Sequence, residues 1–214
     1  SSYTDQEYID FLSIHLEQYY EIIKKNLDYD LKRKININVY ETVEEFHCTL
    51  GIHDAPEWFR ACGDKDIHIV AKEYFDDIPV ENVIAHELVH IIIHGISETV
   101  PKWLDEGIAS YIASICYEDV RAKQFTTTLI RNNLPSESIP NIIDLSSDLR
   151  EFGENNGYEY SHIFVEFLIE VYGIKQLNLL IRNIRDFEKI YKMDYEDAYE
   201  KWKSYLKEKY INVK

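Results

Sequence analysis

The 214-residue sequence contains few of the residues that interrupt helices, with only 7 glycines and 5 prolines. An all-β sandwich needs turn residues between many short strands, so this scarcity argues against that class and favours long helices. Cysteine is also scarce: Cys48, Cys62 and Cys116 show no C-x-x-C spacing, and an odd number cannot pair completely within one chain. The sequence therefore predicts buried thiols rather than a disulfide framework.

Basic residues are outnumbered, since 23 Lys and Arg face 39 Asp and Glu and the formal net charge is −16. A negative field repels phosphate backbones and anionic lipids, so we expect neither nucleic acid nor a membrane surface as a partner. The longest apolar stretch, around Leu88 to Ile93, contains His90 and falls short of the roughly 18 residues of a membrane span. The compartment stays open: a soluble cytoplasmic protein and a secreted protein without its leader both fit.

Hydrophobic residues make up 45% of the chain, which is enough for a sizeable core. Ile35, Ile37 and Val39 alternate with polar residues and predict a half-buried strand, and the run Ile67–Ala71 predicts another. The second run is interpreted either as an ordinary sheet strand or as an edge strand along which an extended chain could pair.

Helical spacing dominates the rest of the sequence. Capping boxes at Thr4 with Glu7 and at Thr42 with Glu45 predict the starts of the first two helices. Gly95 is expected to end the third. We predict helices from about Thr4 to Asn26, over a short stretch after Thr42, from Pro79 to Ile92 or His94, from Lys102 to Ile115 and, after a loop-like stretch over 133–157, at about Tyr158–Tyr172, Ile174–Asp186 and Tyr195–Tyr210.

Together these elements predict an α+β fold in one domain spanning residues 1–214. It would comprise an N-terminal helix over 1–27, a small mixed sheet packed on the third and fourth predicted helices over 35–115, and a helical C-terminal part over 157–214.

The segment His86–His90 reads His-Glu-Leu-Val-His in the middle of the predicted third helix. Residues at i and i+4 share a helix face, so the rings of His86 and His90 can point at one ion, and neutral imidazole is a good zinc ligand. Glu87 is offset by one position and can reach a water on the metal instead. The alternative is a pair of core histidines satisfied by hydrogen bonds. His94 lies too far along the axis to bind the same ion.

A catalytic zinc needs a third protein ligand, and the segment Trp103–Gly107 reads Trp-Leu-Asp-Glu-Gly on the next predicted helix. Glu106 is the candidate ligand, and Asp105 competes with it. Neighbouring helix positions point about 100° apart, so only one of the two can face the metal. The alternative is an exposed acidic pair favoured by the helix dipole.

These motifs resemble a known family. His86–His90 matches the HExxH motif of zincins, and Trp103–Gly107 resembles the W-L-x-E-G segment of gluzincins, notably the peptidase-MA-like group and, more distantly, the zinc aminopeptidases. The resemblance implies one zinc ion per chain, held by His86, His90 and Glu106, with Glu87 as the general base. The segment Tyr158–Ser161 is similar to the aminopeptidase Y-x-x-G segment, which implies an oxyanion-stabilising tyrosine at Tyr158, with Tyr160 as the second choice.

Two features separate the chain from the aminopeptidases. Only fifteen residues lie between His90 and Glu106, and no G-x-M-x-N segment for binding a free amino terminus precedes His86. The expected function is a zinc metallopeptidase acting on a peptide or protein substrate. A zinc hydrolase with a non-peptide substrate and a zinc-binding regulatory or interaction domain without turnover stay open as alternatives.

Overall fold

The computed structural model of the protein describes residues 5–76, 78–135 and 138–211. Three strands and ten α-helices lie in this part of the chain, with short 3₁₀ turns and a final π-helical turn at Lys207–Ile211. The strands are β1 (Ile37–Tyr40), β2 (Ala61–Gly63) and β3 (Ile67–Val70); the helices are α1 (Gln6–Leu27), α2 (Val43–Leu50), α3 (Val80–Ile96), α4 (Lys102–Cys116), α5 (Val120–Asn133), α6 (Leu149–Glu154), α7 (Gly157–Tyr172), α8 (Ile174–Arg182), α9 (Phe187–Tyr191) and α10 (Tyr195–Leu206). The predicted α+β class is confirmed. No helix of the described residues is long and apolar enough to cross a membrane.

The contacts divide the chain into two compact units. The first contains the described residues up to Glu98 together with Ile112–Glu118, and the second contains Thr99–Tyr111 together with the described residues from Asp119 onward.

The first unit is built on a three-stranded mixed sheet with the order β1-β3-β2, in which β1 runs parallel and β2 antiparallel to β3. Ile67 and Ile69 of β3 are fully buried, and α3 contacts both β2 and β3. Because side chains alternate along a strand, Tyr40 and Val70 face the opposite side of the sheet, where Phe46 of α2 packs against them. The small sheet is thus covered by helices on both faces.

Local capping explains where the first two helices begin. The expected cap Thr4 lies outside the described residues; Asp5 is the N-cap of α1, and its side chain accepts a hydrogen bond from the Tyr8 N–H at 3.0 Å. For α2 the prediction is confirmed, because the Thr42 hydroxyl accepts from the Glu45 N–H at 3.1 Å.

Of the two interpretations of the run Ile67–Ala71, the ordinary sheet strand is confirmed, because β3 lies in the centre of the sheet and the unpredicted strand β2 forms one of its edges. Ala and Gly have low strand propensity, so β2 exists through its pairing with β3 rather than through its own sequence. Gly95 does not end α3, which continues to Ile96; a single helical glycine costs only about 1 kcal/mol.

The second unit is organised around α7, whose residues Ile163, Phe164 and Val165 are fully buried. The rings of Trp103 and Trp202 both meet Phe164 edge-on, with centroids 5.4 Å and 5.2 Å away. These aromatic contacts join α4 and α10 to the central helix.

The structure corrects the expected extents of several elements in this unit. Helix α5 has no predicted counterpart, and the loop-like stretch 133–157 contains α6 and a 3₁₀ turn at Ile142–Asp144. The Asp148 side chain caps α6 by accepting from the Glu151 N–H at 2.9 Å. The helix expected to reach Asp186 ends at Arg182, and the one expected to reach Tyr210 ends at Leu206, before the π turn.

Candidate functional site

The centre of α3 brings two imidazole rings together. The Nε2 atoms of His86 and His90 lie 3.0 Å apart, and the rings meet edge-on with centroids separated by 4.7 Å. In a tetrahedral zinc shell with Zn–N bonds of about 2.0–2.1 Å, neighbouring ligand atoms are about 3.3 Å apart. The observed separation is close to that value, so the two rings already have the spacing of two ligands of one ion.

Other histidines of the first unit bond to oxygen atoms of the protein. His15 Nδ1 lies 2.8 Å from the Phe11 carbonyl oxygen, and His47 Nε2 lies 2.9 Å from the Phe59 carbonyl oxygen. His68 Nδ1 lies 2.6 Å from the hydroxyl of a tyrosine on β1. Each of these ring nitrogens has a hydrogen-bond partner in the protein. The contact within the HExxH segment differs, because it joins the Nε2 atoms of two histidines.

Glu87 is buried on α3, and its backbone lies unusually close to Gly63 of β2. A Cβ built on Gly63 of β2 would lie only 2.2 Å from the Glu87 carbonyl oxygen. Since real Cβ atoms do not approach oxygen so closely, only glycine fits at this point. Strand β2 and the backbone of Glu87 are therefore in direct contact.

The free edge of β2 faces away from β3. The Val70 N–H donates to the Arg60 carbonyl at 3.0 Å, and in an antiparallel pair hydrogen-bonded and non-bonded residue pairs alternate. Cys62 is consequently the next residue bonded to β3, and the N–H and C=O groups of Ala61 and Gly63 point outward. An extended chain could pair with these groups.

The Cys62 thiol is a poor candidate for chemistry at this edge. Burial, with the nearby charge of Glu87 as a smaller contribution, raises the pKa of the Cys62 thiol to about 12. The thiol is therefore protonated at neutral pH, and the thiolate is the form that acts as a nucleophile or metal ligand.

In the second unit, the first half of α4 carries Asp105 and Glu106 and crosses α7 at a very short distance. A Cβ built on Gly107 would lie 2.5 Å from the Ser161 carbonyl oxygen and 2.7 Å from Val165 Cγ2. The glycine of the W-L-x-E-G segment thus permits backbone-to-side-chain and backbone-to-backbone contact between the two helices. This crossing fixes the helix on which Glu106 stands.

Two groups of side chains among the described residues could hold a metal ion. One consists of His86, His90 and Glu106, and the other of His90, His94 and Asp105. His94 is exposed, and its ring stacks on that of His90 with a centroid distance of 5.9 Å. Tyr158 belongs to neither group.

The two candidate tyrosines have different surroundings. The ring of Tyr158 is partly buried and meets Phe152 edge-on at 5.0 Å. Tyr160 is buried, its hydroxyl accepts a hydrogen bond from Asn133 Nδ2 at 2.7 Å, and burial raises the pKa of its phenol. Two positions along a helix are about 200° apart, so both tyrosines cannot face the same site. His162 is engaged with Tyr111, whose ring it meets at 5.9 Å.

Sequence reasoning missed β2 and the role of Gly63. The available signal was the short spacing between Gly63 and the β-prone run at Ile67, which fits a hairpin with a three-residue connection. The contact between Gly107 and Ser161 was also missed, although small residues stand at the corresponding positions of both motifs.

Comparison with known proteins identifies one family. The family model of the Peptidase MA superfamily matches residues 21–208. A search of curated proteins and a search of solved structures find no match. Because the family match covers most of the 214 residues, the chain belongs to the Peptidase MA superfamily.

Proposed function

We propose that the protein is a zinc-dependent metallopeptidase that binds one zinc ion through His86, His90 and Glu106. The observation that carries this proposal is the 3.0 Å separation of the two Nε2 atoms on α3, within an HExxH segment of a Peptidase MA chain. Two imidazoles and one carboxylate are the donor set of many catalytic zinc sites, and such a set leaves one position for substrate or water.

Glu106 is preferred over Asp105 as the third ligand for two reasons. It belongs to the group that contains both histidines of the HExxH segment, whereas Asp105 groups with His90 and His94 only. It also occupies the glutamate position of the segment that resembles W-L-x-E-G. Asp105 would then not bind the metal itself; its carboxylate would orient an imidazole that does.

When bound, zinc would act as a Lewis acid that polarises the scissile carbonyl and lowers the pKa of water at the site to about 7. Glu87 would take a proton from the water as its oxygen bonds to the carbonyl carbon, and would then deliver that proton to the amine nitrogen as the C–N bond breaks. The Tyr158 phenol would donate a hydrogen bond to the carbonyl oxygen as negative charge develops there. Tyr160 is disfavoured for this role by its burial and its bond from Asn133.

The edge of β2 favours a peptide as the substrate. The outward N–H and C=O groups of Ala61 and Gly63 match the hydrogen-bonding pattern of an extended backbone. A small ester or amide offers no such repeated pattern. Since Gly63 touches the backbone of Glu87, a peptide paired with this edge would lie beside the proposed base.

The test compares wild type, Glu87→Gln and His90→Ala, each supplied with zinc, on an internally quenched peptide library and on small amides and esters. We expect peptide cleavage by wild type only, and loss of at least 100-fold in kcat for Glu87→Gln, because general acid–base catalysis contributes about 10²–10⁴-fold. Cleavage of esters but no peptides would favour the non-peptide hydrolase. A zinc-loaded wild type that cleaves neither would contradict the enzymatic proposal.

A further inference from the structure

We propose that Gly63 is a positioning residue of the reaction: it sets the distance between the substrate-binding edge of β2 and Glu87. This inference rests on the proposed function and adds a residue that the HExxH and W-L-x-E-G motifs do not include. Its basis is the contact between the two backbones, together with the outward direction of the β2 edge.

The contact involves main-chain atoms of Glu87 only. A Cβ on Gly63 would lie 2.2 Å from the carbonyl oxygen, 2.9 Å from the carbonyl carbon and 3.2 Å from the Cα of Glu87. A side chain could rotate away, but these atoms belong to the hydrogen-bonded interior of α3. The strand must therefore move if Gly63 acquires a methyl group.

Gly95, which lies on α3 with Glu87, is bordered by side chains instead of backbone. A Cβ on Gly95 would meet the ring of Tyr29 at 3.0 Å and a methyl group of Leu31 at 3.3 Å, and both neighbours are side chains. A small side-chain movement can relieve that contact. Gly95 thus provides a matched control that leaves β2 and Glu87 undisturbed.

Strand β2 cannot move away from α3 freely. Ala61 and Gly63 lie opposite Ile69 and Ile67 of β3, and both isoleucines are fully buried. The three-residue strand is therefore held between the central strand and α3. Its free edge keeps a fixed offset from Glu87, and a peptide paired with that edge inherits the same offset.

A methyl group at position 63 should shift this offset by a distance of the order of 1 Å. Misplacement of a reacting group by about 1 Å can cost about 100-fold in rate, whereas the hydrogen bonds of a displaced strand edge are still available to a peptide. We therefore expect the effect in kcat rather than in KM. Zinc binding should persist, because His86 and His90 project from α3 itself.

The experiment measures kcat, KM, zinc content and the thermal midpoint of wild type, Gly63→Ala and Gly95→Ala, using the quenched peptide that wild type cleaves fastest. We expect Gly63→Ala to bind one zinc per chain and to lose about 100-fold in kcat with a KM within about threefold of wild type. Gly95→Ala should retain wild-type kcat and zinc content.

If Gly63→Ala does not fold by circular dichroism, Ala61→Val replaces it, because Ala61 lies on the same side of β2 and this position already accommodates a Cβ. The same loss of kcat with full zinc content is expected there. A folded, zinc-loaded Gly63→Ala or Ala61→Val with wild-type kcat would overturn the role of this strand position. Absence of zinc binding or of any cleavage in wild type would instead overturn the proposed function.

Discussion

Each compact unit contains a point where a glycine lets two elements touch beside a residue of the proposed site. In the first unit Gly63 brings a strand against the backbone of Glu87, and in the second Gly107 brings α4 against the backbone of Ser161. The two clearances are similar, since an added Cβ would lie 2.2 Å and 2.5 Å from the nearest oxygen. Their consequences differ.

The difference lies in what each contact holds. At Gly63 one partner is the proposed general base, so a displacement acts directly on the geometry of the reaction. At Gly107 both partners are framework helices, and Glu106 is affected only as a chain neighbour. We infer that the first contact controls mainly turnover and the second mainly stability. Substitutions in the second unit can break or sharpen this comparison.

The largest expected effect in the second unit is that of Tyr158→Phe. If Tyr158 donates to the developing oxyanion, its loss should lower kcat by about 100-fold or more, the range measured for single oxyanion donors. Zinc content and the thermal midpoint should stay near wild type, because the ring and its contact with Phe152 are retained. Steady-state kinetics check this prediction.

Tyr160→Phe is the matched control. It removes the hydroxyl that accepts from Asn133, so it should lower the thermal midpoint while leaving kcat nearly unchanged. A larger loss of kcat in Tyr160→Phe than in Tyr158→Phe would reverse the assignment of the two tyrosines.

An intermediate effect is expected for Gly107→Ala. The added methyl would collide with the Ser161 carbonyl oxygen and with a methyl of Val165, and overpacking of this kind costs about 1–3 kcal/mol. The gain in helix propensity offsets part of this cost, so the thermal midpoint should fall by about 2–8 °C. Differential scanning calorimetry measures the change.

Ser161→Ala removes a buried hydroxyl from the residue whose backbone faces Gly107, without adding bulk. The Ser161 hydroxyl is fully buried and has no hydrogen-bond partner among the described residues, so its removal should stabilise the protein by up to about 1 kcal/mol. A fall in the midpoint for Ser161→Ala, or none for Gly107→Ala, would show that this crossing does not govern the stability of the second unit.

The smallest effect concerns the pH dependence of stability. Burial raises the pKa of Glu159 above its ordinary value of 4.5. The folded state then binds this proton more tightly than the unfolded state, so the group is destabilising above pH 4.5 and neutral below it. Glu159→Gln should therefore raise the thermal midpoint at pH 7 and have little effect at pH 4. An equal shift at both pH values would contradict this account.

The sequence predicted the elements that carry strong local signals. The i, i+4 histidines in an apolar helix indicated α3, and Pro101 followed by a regular apolar pattern indicated α4, which begins at Lys102 as expected. The alternation of apolar residues indicated β1 and β3. These signals depend on residues near one another in the chain.

The missed features depend on tertiary contacts or on weak periodicity. Strand β2 is only three residues long and is stabilised by its partner, so no local pattern distinguished it from a loop. The first six residues of α5, from Val120 to Phe125, are all exposed, so that part of the helix shows no buried stripe. The roles of Gly63 and Gly107 could be read only from the elements that approach them.

The central claim is tested most directly by the zinc content of the purified protein. Wild type, His86→Ala and His90→Ala are expressed and purified without chelators, dialysed against trace zinc and measured by plasma mass spectrometry beside circular dichroism. We predict one zinc ion per wild-type chain and far less in each folded histidine variant. Wild-type protein without zinc, or folded variants that retain it fully, would contradict the proposed metal centre.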